Sequence, residues 1–277
     1  MKFNKKYLKQ ISTFVRNNYL VVLFGCMLFI VGSILLLRFL TQEEKTIYVK
    51  VKVSQGLWWA STLKPSIWLA ESLQVGDKEV NLSGKPIAEI LEVRKYPLAI
   101  PNYISEQYDV FLIVKMQANY NENTQKYNFK RSDITVGGPI EYEFQKTTIT
   151  GTVIEMSDKP LIEEYIEKIV TLKKELAQEW EYDSIVVGDS YFDGKDVMLE
   201  IRDKNITNTF NAVSQQGTNY PTFSTRRVDI VTTVNMKLKK NTNIYVLREE
   251  LPITLGRRIN LALEDSILTD FIVTDIQ

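Results

Sequence analysis

Leu73-Gln-Val-Gly-Asp77 recurs as Ile185-Val-Val-Gly-Asp189, and the reading of that repeat decides the fold. A second glycine follows each Gly-Asp pair (Gly84, Gly194), and then an alternating stretch, Ala88-Glu-Ile-Leu-Glu-Val93 or Val197-Met-Leu-Glu-Ile201. Asp109-Val-Phe-Leu-Ile-Val-Lys-Met116 lines up with Asp229-Ile-Val-Thr-Thr-Val-Asn-Met236 at an offset of 120. Ile134-Thr-Val-Gly137 matches Ile253-Thr-Leu-Gly256 at 119, and Thr152-Val-Ile-Glu155 matches Phe271-Ile-Val-Thr274, again at 119. Chance likeness between β-rich stretches would scatter these offsets. Blocks in one order at a nearly constant spacing point to a duplicated unit.

Each copy reads as strands. Thr46–Val53 alternates Ile47, Val49, Val51 and Val53 with polar residues, a period of two. Val110–Gln117, Ile140–Phe144, Thr148–Met156, Asp196–Ile201, Val228–Leu238, Asn243–Arg248 and Ile267–Ile276 are similar, separated by Gly, Asn, Asp and Pro. Gly76 and Gly188 supply a positive φ at a tight turn, and Asp77 and Asp189 can accept backbone N–H bonds there. That turn chemistry explains both aspartates without a metal or catalytic role. In copy two, Asn205 to Thr225 is a longer polar stretch, read as a surface loop for contacts or as disorder.

Between the copies, Asp158-Lys-Pro160 reads as a cap with a first-turn proline. Ile162, Tyr165, Ile169, Leu172 and Leu176, with Trp180 beyond, then follow a 3-4 rhythm that predicts an amphipathic helix over 158–182. It is either the seam of a short coiled coil, giving self-association or a protein partner, or a helix packed on its own β-units. The expected fold is mainly β: an N-terminal transmembrane helix and two small β-domains, barrel-like or sandwich-like, joined by that helix. The expected boundaries are a basic tail 1–18, an anchor 19–41, a first β-domain 42–157, the linking helix 158–182, and a second β-domain 183–277.

The anchor follows from residues 19–37, which carry no charge; Phe39 and Leu40 resume the apolar run after Arg38. About 20 such residues span a bilayer core as a helix. Lys2, Lys5, Lys6, Lys9 and Arg16 precede the run and Glu43 and Glu44 follow it, so the N-terminus is expected in the cytoplasm and the rest outside. The run is too long for a cleaved signal and lacks a small-residue cleavage site. Cys26 lies within it and is expected to pack there.

The 277 residues hold 34 bases, 34 acids, no His and one Cys. Without His there is no Ser-His-Asp or Cys-His catalysis, and one Cys makes neither an internal disulfide nor a thiolate zinc site. Six bases and no acid lie in 1–41, so the remainder carries 28 bases against 34 acids, a net charge of −6. An acidic body is a poor nucleic-acid binder.

Copy one with its anchor resembles a bacterial single-pass envelope family, the domain of unknown function numbered 4330, over roughly residues 15–156. The likeness rests on the apolar run, the strand Ile47–Val53 and Trp68-Leu-Ala-Glu-Ser-Leu-Gln-Val-Gly-Asp77. It continues through Gly84, Ala88-Glu-Ile-Leu, Asp109-Val-Phe-Leu-Ile-Val, Val136-Gly-Gly-Pro-Ile140 and Gly151-Thr-Val153. The resemblance implies location and a small β-fold, and brings no activity with it. Copy two departs where Asp270 stands in place of Gly151, which puts its last strand pairing in question. The Gly-Asp turns are also similar to those of cradle-loop β-barrels.

No catalytic, cofactor or metal site is expected. Glu163 and Glu164 adjoin but do not share a helix face. Ser157 and Lys159 would suit a Ser-Lys peptidase, yet they read more simply as a cap region. Trp58, Trp59 and Trp68 form an aromatic cluster that is core, partner contact or interfacial belt. The sequence thus favours a non-enzymatic, anchored envelope component for assembly or protein interaction. An adaptor or ligand-binding subunit of an export or transport complex, and a carboxylate or Ser/Lys hydrolase, are the alternatives.

Overall fold

Strand β1 (Glu44–Ser54) buries Ile47, Val49, Val51 and Val53, as period-two alternation requires. Lys50, on the opposite face, is buried as well, so something covers both sides of this strand. The computed structural model describes residues 18–40, 44–54, 64–100, 103–122, 124–130, 132–214 and 223–277, with the side chains of 34–40, 99–106 and 211–225 outside the description. The basic tail up to residue 17, Trp58 and Trp59 lie outside the described residues.

The described chain is mainly β, in two curled sheets that form barrel-like or half-barrel units. The first sheet holds β1, β2 (Lys78–Val80), β3 (Pro86–Ile100), β4 (Tyr103–Asn121), β5 (Lys126–Phe129), β6 (Ser132–Ile134), β7 (Pro139–Glu143) and β8 (Thr148–Ser157). The second holds β9 (Ile166–Gln178), β10 (Ser190–Phe192), β11 (Val197–Ser214), β12 (Phe223–Asn241), β13 (Ile244–Leu247), β14 (Leu251–Ile253), β15 (Arg258–Ala262) and β16 (Ile267–Ile276). The strand orders are β2-β3-β4-β1-β8-β7 and β10-β11-β12-β9-β16-β15, with β5, β6 and β13, β14 off the path in the same way. One topology therefore occurs twice. A short helix precedes each Gly-Asp turn, α2 (Ile67–Ser72) in copy one and α3 (Glu179–Asp183) in copy two.

The linking helix over 158–182 is corrected. Residues 161–165 have no regular structure, and Ile166–Gln178 is the central strand β9, antiparallel to both β12 and β16. The supposed seam does not share a face: Ile162, Ile169 and Leu176 are exposed, whereas Val170 and Leu172 form the core in period-two fashion. Two waiting strands satisfy the backbone of β9, and that tertiary pairing overrides the helical preference of Lys173-Lys174-Glu175-Leu176. A bulge places Leu176 at φ 52°, with its N–H donating to Asp229 Oδ1 at 3.0 Å. The second β-unit therefore starts at Ile166, not at 183.

Two further expectations are corrected. Asn205–Thr225 is not a free loop: β11 and β12 stay paired out to Ser214 opposite Phe223, with only 215–222 outside the description. Asp270 does not prevent the last strand from pairing. It takes φ 60° in a bulge, donates its N–H to Asn260 Oδ1 at 2.7 Å, and β16 pairs with both β15 and β9.

Helix α1 (Tyr19–Leu40) covers 22 residues with no acid in its first turn. Among the described residues no helix is long and apolar enough to cross a membrane; the side chains of 34–40 are outside that set. Contacts divide the chain into two bodies, residues 1–45 with 118–133, and residues 46–117 with 134–277. The site described next lies wholly in the second body.

Candidate functional site

The cover on β1 is ionic. Lys50 meets Glu163 and Glu249, the latter at 2.7 Å. Lys239 of β12 reaches the same two carboxylates at 2.8 and 2.6 Å. Arg94 of β3, 2% exposed, donates Nη1 to Asp193 Oδ2 at 2.5 Å and Nη2 to Asp196 Oδ2 at 3.0 Å, and its Nε faces Glu92 and Glu163. Lys195 pairs Glu92 and Lys237 pairs Asp196. Five cations and five carboxylates thus form one network, drawn from β1 and β3 of copy one, the connector 158–165, and copy two.

Local structure presents each group. Asp193 opens a tight turn in which its Oδ1 accepts the N–H groups of Lys195 and Asp196 at 3.0 and 2.9 Å. Gly194 takes φ 110°, and a Cβ there would sit 2.7 Å from Val93 O, so the turn lies flush against β3. Lys95 N–H donates to Asp193 O at 2.8 Å, and the Tyr96 hydroxyl donates to Asp193 Oδ2 at 2.8 Å. The connector contributes Glu163 and Tyr165. The Tyr165 hydroxyl donates to Glu163, and its ring lies under Arg94 and Lys239 at 5.0 and 5.4 Å.

The electrostatics follow from burial with partners. Burial pushes the Glu163 carboxyl up, but Lys50, Lys239 and Tyr165 outweigh it and hold it down to about 2. Burial lowers the Lys50 ammonium despite Glu249 and Glu163. Burial opposes the Arg94 charge, yet Asp193 more than compensates and its pKa rises. Burial, then Asp193, raises the Tyr96 phenol; burial, then Glu163, raises the Tyr165 phenol, so both remain protonated donors. Each carboxylate of the network already faces a cation. The arrangement fixes one repeat against the other.

A cleft of about 210 Å³ is lined by Leu98, Asp109, Phe111, Arg248, Glu250, Leu251 and Asn260, of which Arg248 and Glu250 flank Glu249 of the network in sequence. Arg248 sits at φ 60°, donates to Pro97 O and Ala262 O at 3.0 and 3.4 Å, and stacks on Tyr96 and Tyr191. Its Nε is buried without a hydrogen-bond partner. Burial lowers the guanidinium pKa. Among the described residues no group of three or more acids or thiols is placed to hold a metal ion.

The residues singled out from sequence lie elsewhere, with two exceptions. Gly76 and Gly188 take φ 92° and 88°; Asp77 Oδ2 accepts Gln74 N–H at 3.0 Å, and Asp189 Oδ2 accepts Asp265 N–H at 3.2 Å. Trp68, Ile162 and Trp180 are exposed and separate, and Ser157 Oγ accepts the Lys159 backbone N–H at 3.0 Å. Tyr165 and Glu163 enter the network. Lys50, Arg94, Asp193, Lys239 and Glu249 escaped sequence reasoning because each occupies the nominally outward face of a strand or turn. Compared with known proteins, the chain matches no family model, no curated protein and no solved structure.

Proposed function

We propose that this chain is a membrane-anchored protein of the bacterial cell envelope, with its β-units outside the cytoplasm, which serves assembly or protein interaction and carries out no chemistry of its own. The observation that carries this reading is α1, whose 22 residues contain one charge, Arg38, and which is followed after three residues by β1. About 20 apolar residues suffice to span a bilayer, and the bases before the helix with acids after it favour an inside N-terminus. The paired charges of the network support an interaction role over catalysis, because they are spent on holding the repeats together. The resemblance of copy one to the envelope family numbered 4330 points the same way.

A ligand-binding subunit is the second reading, favoured by the cleft beside Arg248. At about 210 Å³ that cleft falls below the roughly 300–1,000 Å³ of most small-molecule sites, which places assembly first.

The test is topology. In a Cys26→Ser background, Leu82→Cys provides a fully exposed thiol in a turn of copy one. Labelling of intact cells by an impermeant maleimide, with the chain retained in membranes after alkaline carbonate, is expected. Labelling only after lysis, or release by carbonate, would overturn the anchored reading. A detergent-solubilised chain that runs as a lone monomer, with no crosslinked neighbour in cells, would overturn the assembly role.

A further inference from the structure

The body formed by residues 1–45 and 118–133 contains a hairpin whose chemistry the anchor reading does not use. β4 and β5 close it with Asn119 opposite Asn128, Tyr120 opposite Tyr127, and Asn121 opposite Lys126. The two tyrosine rings lie 5.0 Å apart, and Lys45 Nζ sits 4.3 Å over the Tyr120 ring. Lys45 follows Leu40, the last residue of α1, by five positions, a reach of at most about 18 Å for extended chain. The hairpin is thereby tethered close to the end of α1.

The duplicated unit provides an internal control. At the same place copy two pairs Lys240 with Tyr245, and Asn241 with Ile244, so its turn has two residues where copy one has four. The tyrosine pair and the longer tip occur only in the repeat that is joined to α1. Both rings are half-buried, and among the described residues no hydrogen bond reaches either phenol. The tip beyond them, Asn121, Glu122, Thr124, Gln125 and Lys126, is exposed and wholly polar. Tyrosine with one wet end belongs at the headgroup level of a bilayer, and a polar tip does not enter hydrocarbon.

We infer that this hairpin rests on the lipid headgroup layer beside α1, with the Tyr120 and Tyr127 phenols bonding lipid phosphate and glycerol oxygens. The inference rests on the reading of α1 as an anchor. Residues 118–133 carry Lys126, Lys130 and Arg131 against Glu122 and Asp133, a net of +1, so zwitterionic lipid suffices and anionic lipid is not required.

The experiment uses the full chain, Cys26→Ser, in phosphatidylcholine vesicles, with an environment-sensitive fluorophore on Thr124→Cys or, as control, on Asn243→Cys in the equivalent turn of copy two. The vesicles carry a headgroup-attached spin label as quencher. Quenching at 124, absent at 243 and lost when Tyr120 and Tyr127 are both changed to Ser, is expected. Equal quenching at the two positions, or quenching at 124 that survives the double change, would overturn the inference. The comparison of 124 with 243 needs no tyrosine variant, so a misfolded double mutant leaves the test intact. Flotation separates the two readings: a chain that floats with vesicles after carbonate but shows no quenching at 124 defeats the hairpin contact alone. A chain that does not float defeats the anchor and the contact together.

Discussion

Arg94 Nη1 and Asp193 Oδ2 meet at 2.5 Å across 99 positions of sequence, with side-chain exposures of 2% and 0%. The pair joins β3 of one repeat to the turn after β10 of the other. Changing Arg94 to Met leaves Asp193 with the Tyr96 hydroxyl and two backbone N–H groups but without the cation it pairs with among the described residues. Breaking a buried pair from one side costs about 3–5 kcal/mol, because the remaining charge stays buried. Urea unfolding is expected to show that loss for Arg94→Met, and a smaller additional loss when Asp193→Asn is combined with it, a coupling of about 1–3 kcal/mol. Strict additivity would mean that the two groups do not stabilise one another.

Acid should weaken the same junction through Glu163. Its folded pKa of about 2 lies below the ordinary 4.5, so the stability it contributes is fully present above 4.5 and is lost as pH falls toward 2. The gap corresponds to at most about 3 kcal/mol. Wild type is expected to exceed Glu163→Gln in unfolding free energy at pH 6 and to converge with it near pH 2. A difference that is constant across that range would show that the carboxylate charge is not what Lys50 and Lys239 hold.

The duplicated core was legible in sequence because buried alternation and tight turns impose the same residue types twice. The junction was not, because the copies differ there. By strand register Asn205 stands where Arg94 does, opposite Val231 as Arg94 is opposite Phe111. Asn81 likewise stands where Asp193 does, just after the strand that pairs Glu79 or Tyr191 with its neighbour. The charges that hold copy one to copy two are therefore not repeated at the equivalent positions, Asn205 and Asn81. Comparing the copies for charged residues that fail to repeat would have pointed to Arg94 and Asp193. The cluster itself needed the three-dimensional placement of Glu163, Lys239 and Glu249.

β9 was missed for a different reason. Carrying the offset of 120 between Asp109 and Asp229 back to strand Ile47–Val53 lands inside Ile166–Gln178, so the repeat required a strand where the local rhythm suggested a helix. The two readings differ in which residues bear substitution. In the strand, Val170→Asp and Leu172→Asp bury a charge at positions 0% exposed and should abolish folding, whereas Ile169→Asp, at 39%, should be nearly neutral. A helical seam through Ile169 and Leu172 would instead make Ile169→Asp as damaging as Leu172→Asp and spare Val170. Circular dichroism and urea midpoints of the three variants decide between them.

Glycine 151 tests how closely β1 and β8 approach. It lies opposite Val53, and a Cβ there would stand 2.4 Å from Val51 Cγ1 and 2.7 Å from Lys52 O. Neither atom can retreat freely, because Val51 is fully buried and Lys52 O belongs to the strand backbone. Copy two places Phe271 opposite Ile259, as Gly151 lies opposite Ile140, and it accommodates the larger residue with the extra bulge at Asp270. Copy one has no such residue to spare. Gly151→Ala is therefore expected to cost about 2–3 kcal/mol by overpacking. Gly76→Ala meets nothing within 4 Å and should lose about 1–2 kcal/mol from its φ of 92° alone. Hydrogen exchange separates the two origins: Gly151→Ala should lower protection at Val53 and Thr152 selectively, while Gly76→Ala leaves that strand pair unchanged. Unaltered protection and stability in Gly151→Ala would show that β1 and β8 can part without penalty, and the tight register assigned to them would be wrong.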